Sequence, residues 1–97
     1  MAQIIWSPEA TRDLEHIGEN ISKDSPRYAT ATITKLYHAI EQLDTFPRSG
    51  RMIPELQIES RRELIVGNYR IMYRVFDDTC EILMILHMKR DVLNIIE

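Results

Sequence analysis

Apolar and polar residues repeat with two different periods along this chain, and the change of period separates a helical half from a strand half. In the first half, Ala10, Leu14, Ile17 and Ile21 are spaced by four, three and four residues, as on one face of an α-helix. A second stripe of the same kind comprises Ala29, Ile33, Leu36, Ile40 and Leu43. Both stripes predict amphipathic helices, each of which needs a partner surface on which to bury its apolar face.

Capping residues mark the starts and ends of these helices. Ser7-Pro8-Glu9 provides an N-cap serine, a proline at the first helical position and an acid that suits the positive end of the helix dipole. Asp24-Ser25-Pro26 repeats this chemistry, and Phe46-Pro47 ends the second helix because the residue before a proline disfavours the α region. The short connection predicts an antiparallel helical hairpin, preceded by a first strand at Gln3–Trp6.

From about residue 61 the pattern changes to the two-residue period of β-strands. Strands are predicted at residues 62–66, 69–76 and 80–88, with turns at Gly67-Asn68 and at residues 77–79. Residues 48–60, which include a glycine and a proline, are predicted to be an irregular loop. In the strand at 69–76, one face carries Tyr69, Ile71, Tyr73 and Val75, and the other carries Arg70, Met72, Arg74 and Phe76. We therefore expect a β-α-α-β-β-β order, with the helices on one sheet face and a groove carrying Arg70 and Arg74 on the other.

Composition limits the classes of protein that this chain can represent. Its 97 residues suffice for a single domain, residues 1–97, with one hydrophobic core. Cys80 is the only cysteine and no signal-peptide pattern is present, so we expect a location in the reducing cytoplasm. No apolar run approaches the roughly 20 residues that span a bilayer. Because His16, His38 and His87 are scattered and Cys80 is a single cysteine, the sequence shows no metal-ligand spacing, and we expect neither a metal site nor a cofactor.

Charge is unevenly distributed, although the net charge is only −3. Residues 1–46 contain four Lys/Arg and seven Asp/Glu, a balance of −3, whereas residues 47–74 contain six Arg and three Glu, a balance of +3. Such a region is either a solvated sheet whose arginines pair with local glutamates or a cationic face that binds a partner. The negative total argues against direct nucleic-acid binding, because neutralising phosphates requires clustered cations.

Four motifs in order carry a family resemblance: WSPEATRDLEHI, FPRSGR, RRELIVGNYRIMYRV and HMKRD. With them the chain resembles the RelE/ParE superfamily of bacterial type II toxin–antitoxin toxins, and the ParE branch most closely. The resemblance implies an α+β fold in which an N-terminal helical hairpin packs on one face of an antiparallel sheet. It also implies a cognate antitoxin, whose flexible C-terminal segment folds onto the toxin.

The two branches of this superfamily differ in their targets. RelE toxins cut mRNA in the ribosome, whereas ParE toxins are reported to poison DNA gyrase. The resemblance puts Arg70 in the place of the arginine that contacts the scissile phosphate in RelE, and Arg90 in the place of a second arginine. The lysines of the RelE second strand are replaced by Arg61 and Glu63, and the tail DVLNIIE has no tyrosine or histidine. Cleavage through a 2′-hydroxyl needs a base and an acid, and arginine, with a pKa above ~12, serves poorly as either.

These departures predict a toxin without catalytic residues that binds DNA gyrase through its cationic sheet edge and residues 92–97. The predicted target-binding residues are Arg61, Arg62, Tyr69, Arg70, Arg74, Lys89 and Arg90. We expect the antitoxin to be acidic or amphipathic and to occupy the exposed sheet edge and the outer groove of the helical hairpin.

Two alternatives stay open at the level of sequence. In a ribosome-dependent endoribonuclease, Glu55 would act as the base, Arg70 as the phosphate clamp and His87 as the acid, with Arg90 as a second cation. The unperturbed pKa of histidine, ~6.5, suits proton transfer. Alternatively, Arg70 is a structural residue that stacks on a tyrosine or pairs with Glu63 across the hairpin.

Overall fold

A β-strand, two helices and four further strands follow one another in a computed structural model that describes residues 1–93. The elements are β1 (Gln3–Trp6), α1 (Pro8–Ser22), α2 (Pro26–Glu41), a 3₁₀ turn (Gln42–Asp44), β2 (Arg51–Met52), β3 (Arg61–Val66), β4 (Tyr69–Phe76) and β5 (Thr79–His87). The strands form one sheet in the order β1-β5-β4-β3-β2. The predicted α+β class and the helical hairpin are confirmed.

The sequence predicts an antiparallel sheet, and in this respect the prediction is wrong, because the sheet is mixed. β1 lies parallel to β5, with Gln3 opposite Thr79 and Trp6 opposite Ile82, whereas every other pairing is antiparallel. The direction of β1 depends on where the helical hairpin returns the chain, which no local pattern encodes. The segment predicted as a loop contains β2, whose two residues are too few to show a period.

Both helices begin as the capping pattern predicts. The side chain of Ser7 accepts a hydrogen bond from the backbone N–H of Ala10 at 3.0 Å, and that of Ser25 accepts one from Tyr28 at 3.1 Å. Each cap satisfies a backbone donor that the first helical turn leaves without a partner.

The main core lies between the helices and the sheet face that carries Tyr69, Ile71, Tyr73 and Val75, as the alternation predicts. Its buried members are Ala10, Leu36, Ile40, Leu43, Ile71, Tyr73, Val75, Cys80, Ile82 and Ile85. The pairing shifts by one residue between Met72 and Tyr73, because Met72 faces Met84 while Tyr73 faces Ile82. This bulge leaves Leu83 as an extra residue on β5 and keeps the apolar positions on the helical side.

A second, smaller core covers part of the opposite sheet face, here called the outer face. Ile53, Met72, Leu86 and Val92 are buried there, and Leu56 and Met84 pack against them. The loop before β3 therefore folds over the outer face instead of leaving it as the open groove that the sequence predicts. Arg70 and Arg74 do lie on this face. Of the predicted C-terminal segment, residues 94–97 lie outside the described residues.

The sheet edges are protected to different degrees. Beyond the end of β1, the edge of β5 is covered by α1, since Ser7 Oγ donates to the Leu83 carbonyl at 2.8 Å and Asp13 Oδ2 accepts from Ile85 N at 2.9 Å. β2 pairs with only the first half of β3, which leaves Leu64–Val66 as an open edge among the described residues. None of the described helices has the length and apolar character needed to cross a membrane.

Candidate functional site

Two acids and two arginines alternate on the outer face and form what we call the charge network: Arg51, Glu63, Arg70 and Glu55. Arg51 on β2 lies opposite Glu63 on β3, and its Nε donates to Glu63 Oε2 at 2.7 Å. Arg70 on β4 donates from Nε to Glu63 Oε1 at 2.7 Å. Its two terminal nitrogens, Nη1 and Nη2, reach Glu55 Oε2 and Oε1 at 2.8 and 2.7 Å. The hairpin register and the loop before β3 together produce this arrangement.

The network is buried to an unusual extent for charged residues. The side chain of Glu63 is 0% exposed and that of Arg70 is 7% exposed, whereas that of Glu55 is 29% exposed. The hydrogen bond from Arg70 is the largest cause that lowers the pKa of Glu55, and it outweighs the partial loss of solvent to give a pKa of about 2. The same bond raises the pKa of Arg70. Arg70 thus stays charged, and Glu55 is a very weak base at neutral pH.

A second cluster holds the loop before β3 against the sheet. Glu59 Oε1 accepts hydrogen bonds from Arg48 Nη1 at 2.8 Å and from Arg62 Nη2 at 2.7 Å. The bond from Arg62 is the main cause that lowers the pKa of Glu59. Arg62 also donates to the Gly50 carbonyl at 2.8 Å. The buried hydroxyl of Tyr73 accepts a hydrogen bond from Gly50 N at 2.9 Å. Arg62 is therefore an anchor of this loop.

Three of the predicted target-binding arginines pair with carboxylates of the same chain. Arg62 and Arg70 do so as described above, and Arg74 pairs with Glu81 at 2.8 Å while lying 4.2 Å above the centre of the Phe76 ring. Of the two alternatives that the charge distribution left open, these three arginines therefore fit the first, in which arginines of the sheet pair with local glutamates. The predicted pairing of Arg70 with Glu63 is present.

The remaining predicted cations lie at the two ends of the sheet. Arg61 begins β3 opposite Arg74, whereas Lys89 and Arg90 follow β5, near the end of the sheet where Tyr69 pairs with Val66. Within residues 1–93, none of these three forms an ion pair with a carboxylate. The seven predicted residues therefore do not form one continuous patch.

The base, the phosphate clamp and the acid of the nuclease alternative, three of its four residues, do not meet at one point. Arg70 and Glu55 lie on the outer face, whereas His87 lies opposite Tyr69 on the helical side, with the two rings edge to face and their centres 5.7 Å apart. Neighbouring strand positions point to opposite faces of a sheet, which separates His87 from Arg70. A base, an acid and a phosphate clamp are thus not gathered around a single substrate position.

Two features of the network do not follow from the sequence analysis. One is the presence of Arg51, and the other is the pairing of Glu55 with Arg70. The hairpin turn at Gly67-Asn68 fixes the register of β3 and β4, which was enough to suggest the pair between Glu63 and Arg70. Arg51 and Glu55 come from the segment predicted as irregular, so no local signal brought them to the outer face. Among the residues that the structure describes, no group of three His, Cys, Asp or Glu side chains forms a metal site.

Two grooves flank these features. The larger of the two, of about 370 Å³, lies on the outer face and is lined by Ser7, Glu9, Ile53, Leu56, Arg61, Met72, Leu83 and Met84. A smaller groove of about 210 Å³ lies between α2 and the β3–β4 turn and includes Tyr28, Lys35, Leu36, Val66 and Tyr69. The smaller groove adjoins the open edge of β3.

The arrangement of a helical hairpin on a five-stranded sheet is shared with solved toxin–antitoxin structures. One is a chain from the chromosomal ParDE system of P. aeruginosa, with a TM-score of 0.76 and 20% identity over 92% of this chain and 98% of that chain. Another comes from the toxin–antitoxin complex RelBE2 of Mycobacterium tuberculosis, with a TM-score of 0.61 and 24% identity over 89% and 96% of the two chains. At these identities the likeness shows the fold.

Sequence comparison identifies the family. A family model described as ParE toxin of the type II toxin–antitoxin system parDE matches residues 4–92. The Y4kP protein of Sinorhizobium fredii is 37% identical over 87 residues, which cover 88% of this chain and 86% of Y4kP. Toxin RelE2 of Caulobacter vibrioides is 35% identical over 91 residues, which cover 93% and 99% of the two chains. The chain belongs to the ParE toxin family of type II toxin–antitoxin systems, within the superfamily that the motifs indicated.

Proposed function

We propose that this toxin acts by binding DNA gyrase, without catalysing a reaction of its own, and that a cognate antitoxin silences it in the cytoplasm. The observation that supports this most is the state of Arg70. The guanidinium that a nuclease would turn toward a phosphate is buried and bonded to both Glu63 and Glu55. A guanidinium whose three nitrogens all bond to carboxylates of the same chain contributes little to a transition state.

Proton transfer is the second argument against RNA cleavage. A general base works best when its pKa lies near the working pH, and the pKa of Glu55 is about 2. His87, the alternative acid, pairs with Tyr69 on the other side of the sheet. Recognition of a protein target requires neither group.

The cations that lack an intramolecular carboxylate partner within residues 1–93 are the best candidates for target contacts. Arg61 stands beside the larger groove, and Lys89 and Arg90 follow β5 at the far end of the sheet. We propose two contact regions with the target, one at Arg61 and one at Lys89-Arg90 together with residues 92–97. Arg62, Arg70 and Arg74 would reach a target only after leaving their carboxylates.

The open edge of β3 is the proposed site for the antitoxin. An extended segment could add a strand along Leu64–Val66, where Ile65 is 44% exposed. A helix following that strand would meet the smaller groove, where Tyr28 is exposed and Lys35 offers a positive charge. An amphipathic antitoxin with acidic residues fits both features.

Two assays with the purified toxin test the target. One follows gyrase supercoiling and the accumulation of linear DNA, and the other follows mRNA cleavage in translating ribosomes. We expect gyrase inhibition, reduced at least tenfold by a Lys89→Ala, Arg90→Ala variant and largely retained by Arg70→Ala. Removal of residues 94–97 keeps the buried Val92 in place and is expected to weaken inhibition strongly.

The opposite pattern would support the nuclease. In that case mRNA is cut, and Arg70→Ala loses nearly all activity, because a clamp on the transition state contributes ~3 kcal/mol or more. Normal growth of cells that overproduce the toxin without its antitoxin would contradict toxicity of either kind. Folding of each variant is checked by thermal unfolding, so that loss of structure is not mistaken for loss of binding.

A further inference from the structure

The contacts of Arg70 fall into a fixed part and an exchangeable part. Its Nε bonds to Glu63, and its Nη2 also lies 2.5 Å from the same oxygen, Oε1. Glu63 is a strand residue whose side chain is 0% exposed and which also accepts a hydrogen bond from Arg51. Nη1 and Nη2 of Arg70 both bond to Glu55, whose side chain is 29% exposed and comes from the loop after Pro54. The buried acid therefore orients the guanidinium, while the partly exposed acid occupies its open side.

Displacement of Glu55 would leave a receptor with a defined shape. Arg70 would present two parallel N–H donors in a fixed plane, and the charge of Glu63 would still be balanced by Arg51. A planar fork with one unbalanced positive charge matches a carboxylate, which accepts two parallel hydrogen bonds. Glu55 itself shows this match, with bonds of 2.8 and 2.7 Å.

We propose that Arg70 is a preformed receptor for a carboxylate of a partner protein, and that Glu55 occupies the receptor until an acidic side chain of the partner displaces it. The residues near Glu55 support a protein ligand. Ile53 and Leu56 line the larger groove with Met72 and Met84, so a bulky apolar residue next to the incoming acid could be buried there. A phosphodiester backbone suits these apolar walls and a protein of net charge −3 less well.

The partner that fits the function proposed above is the antitoxin, because Arg70→Ala is expected to retain gyrase inhibition and Ile65, on the edge proposed for the antitoxin, lies opposite Arg70. The exchange of carboxylates itself does not depend on that function. Chemical rescue tests the exchange directly. Glu55→Ala leaves the fork open, and acetate is a carboxylate small enough to enter it. Thermal unfolding of this variant is measured at pH 7 in sodium acetate and in sodium chloride of the same ionic strength.

We expect acetate to raise the Tm of Glu55→Ala in a saturable way. At about ten times its dissociation constant, acetate would lower the unfolding constant about tenfold. The wild-type protein should show no such rise, because its own carboxylate already fills the fork. The matched control is Glu59→Ala, which removes a loop carboxylate that pairs with Arg48 and Arg62 on the surface. The double variant Glu55→Ala, Arg70→Ala should not respond either.

Two results would overturn the proposal. One is the absence of a saturable acetate effect in Glu55→Ala, or an equal effect in the double variant. The other is a stronger rescue by dimethyl phosphate, which would assign the site to a phosphodiester. If Glu55→Ala does not fold, Glu55→Ser, whose side chain is too short to reach the fork, takes its place, and the Nε–H resonance of Arg70 is followed during the same titration. A saturable shift supports the receptor and an unchanged resonance excludes it.

Neither readout involves gyrase or ribosomes. A failed rescue would therefore leave the proposed target untouched. A failed gyrase assay would likewise leave the receptor in place.

Discussion

Replacement of Glu55 by glutamine should remove a pH-dependent part of the stability of this protein. The pKa of Glu55 is lowered from 4.5 to about 2, mainly by the hydrogen bond from Arg70. One pKa unit corresponds to ~1.4 kcal/mol, so the ionised carboxylate contributes at most about 3 kcal/mol to the free energy of unfolding at neutral pH. Solvent screening at a side chain that is 29% exposed reduces this value. We expect Glu55→Gln to lose ~1–3 kcal/mol at pH 7.

The direction of the pH dependence follows from the lowered pKa. A carboxylate whose folded-state pKa is depressed contributes its stability fully above its unfolded pKa of 4.5, and the contribution is lost as the pH falls toward about 2. The difference between wild type and Glu55→Gln should therefore be constant from pH 7 to about pH 5. At pH 3 it should have fallen to about 1.4 kcal/mol or less. Urea unfolding at a series of pH values measures this difference.

The control is Glu59→Gln, which removes a loop carboxylate whose side chain is 70% exposed. Ion pairs of exposed side chains contribute little to stability, so this variant should differ little from wild type at any pH. A difference for Glu55→Gln that is the same at pH 3 and pH 7 would refute the reasoning. In that case the glutamine would act through packing or the loop backbone, and not through charge.

Three further predictions concern the contacts that hold the loop before β3 and the edge of β5 in place. Tyr73→Phe should destabilise the protein by about 1–3 kcal/mol in urea unfolding, because it leaves the buried N–H of Gly50 without its acceptor. Gly50→Ala should cost about 1–3 kcal/mol or more by the same measurement, since its Cβ would lie 2.5 Å from the Glu63 carbonyl oxygen. Its control, Gly18→Ala, should be neutral or stabilising by up to ~1 kcal/mol, because the helical site has ordinary contacts of 3.5 Å. Asp13→Ala should cost about 1–3 kcal/mol and raise the exchange rate of the Ile85 amide hydrogen, while Asp13→Asn, which keeps an acceptor, should cost less.

Local chemistry accounts for the parts of the fold that the sequence predicts well. Ser7 and Ser25 start their helices because each side chain accepts a hydrogen bond from a backbone N–H three residues later, and this interaction needs no distant partner. The bounds of β4, Tyr69–Phe76, agree with the prediction because a turn signal stands on either side of a two-residue period. The direction of β1 and the existence of β2 depend on contacts between distant segments, which periodicity does not contain.

In the candidate site, too, only the local features can be predicted from the sequence. The turn signal predicts the register of the β3–β4 hairpin, so the pairing of Arg70 with Glu63 is among the alternatives that the sequence offers. The pairing of Arg70 with a second carboxylate, that of Glu55, cannot be predicted from the sequence. Glu55 reaches the outer face only because Ile53 packs against Met72 and the loop folds over the sheet. Tertiary packing of an irregular segment thus decides whether Arg70 faces a ligand or a side chain of its own protein.

Stability alone is a weak explanation for the charge network. Burial of charged groups costs several kcal/mol per ion, and replacement of a buried ion pair by apolar residues of similar volume is often neutral or stabilising. The outer face already has apolar neighbours, Met72 and Leu86, that could accommodate such residues. Specification of one arrangement, or a switch between two, is the better-supported use of buried charges. A switch at Arg70 requires two states, one with Glu55 bound and one with Glu55 displaced. The buried Glu63 holds Arg70 in both states, whereas the partly exposed Glu55 can leave.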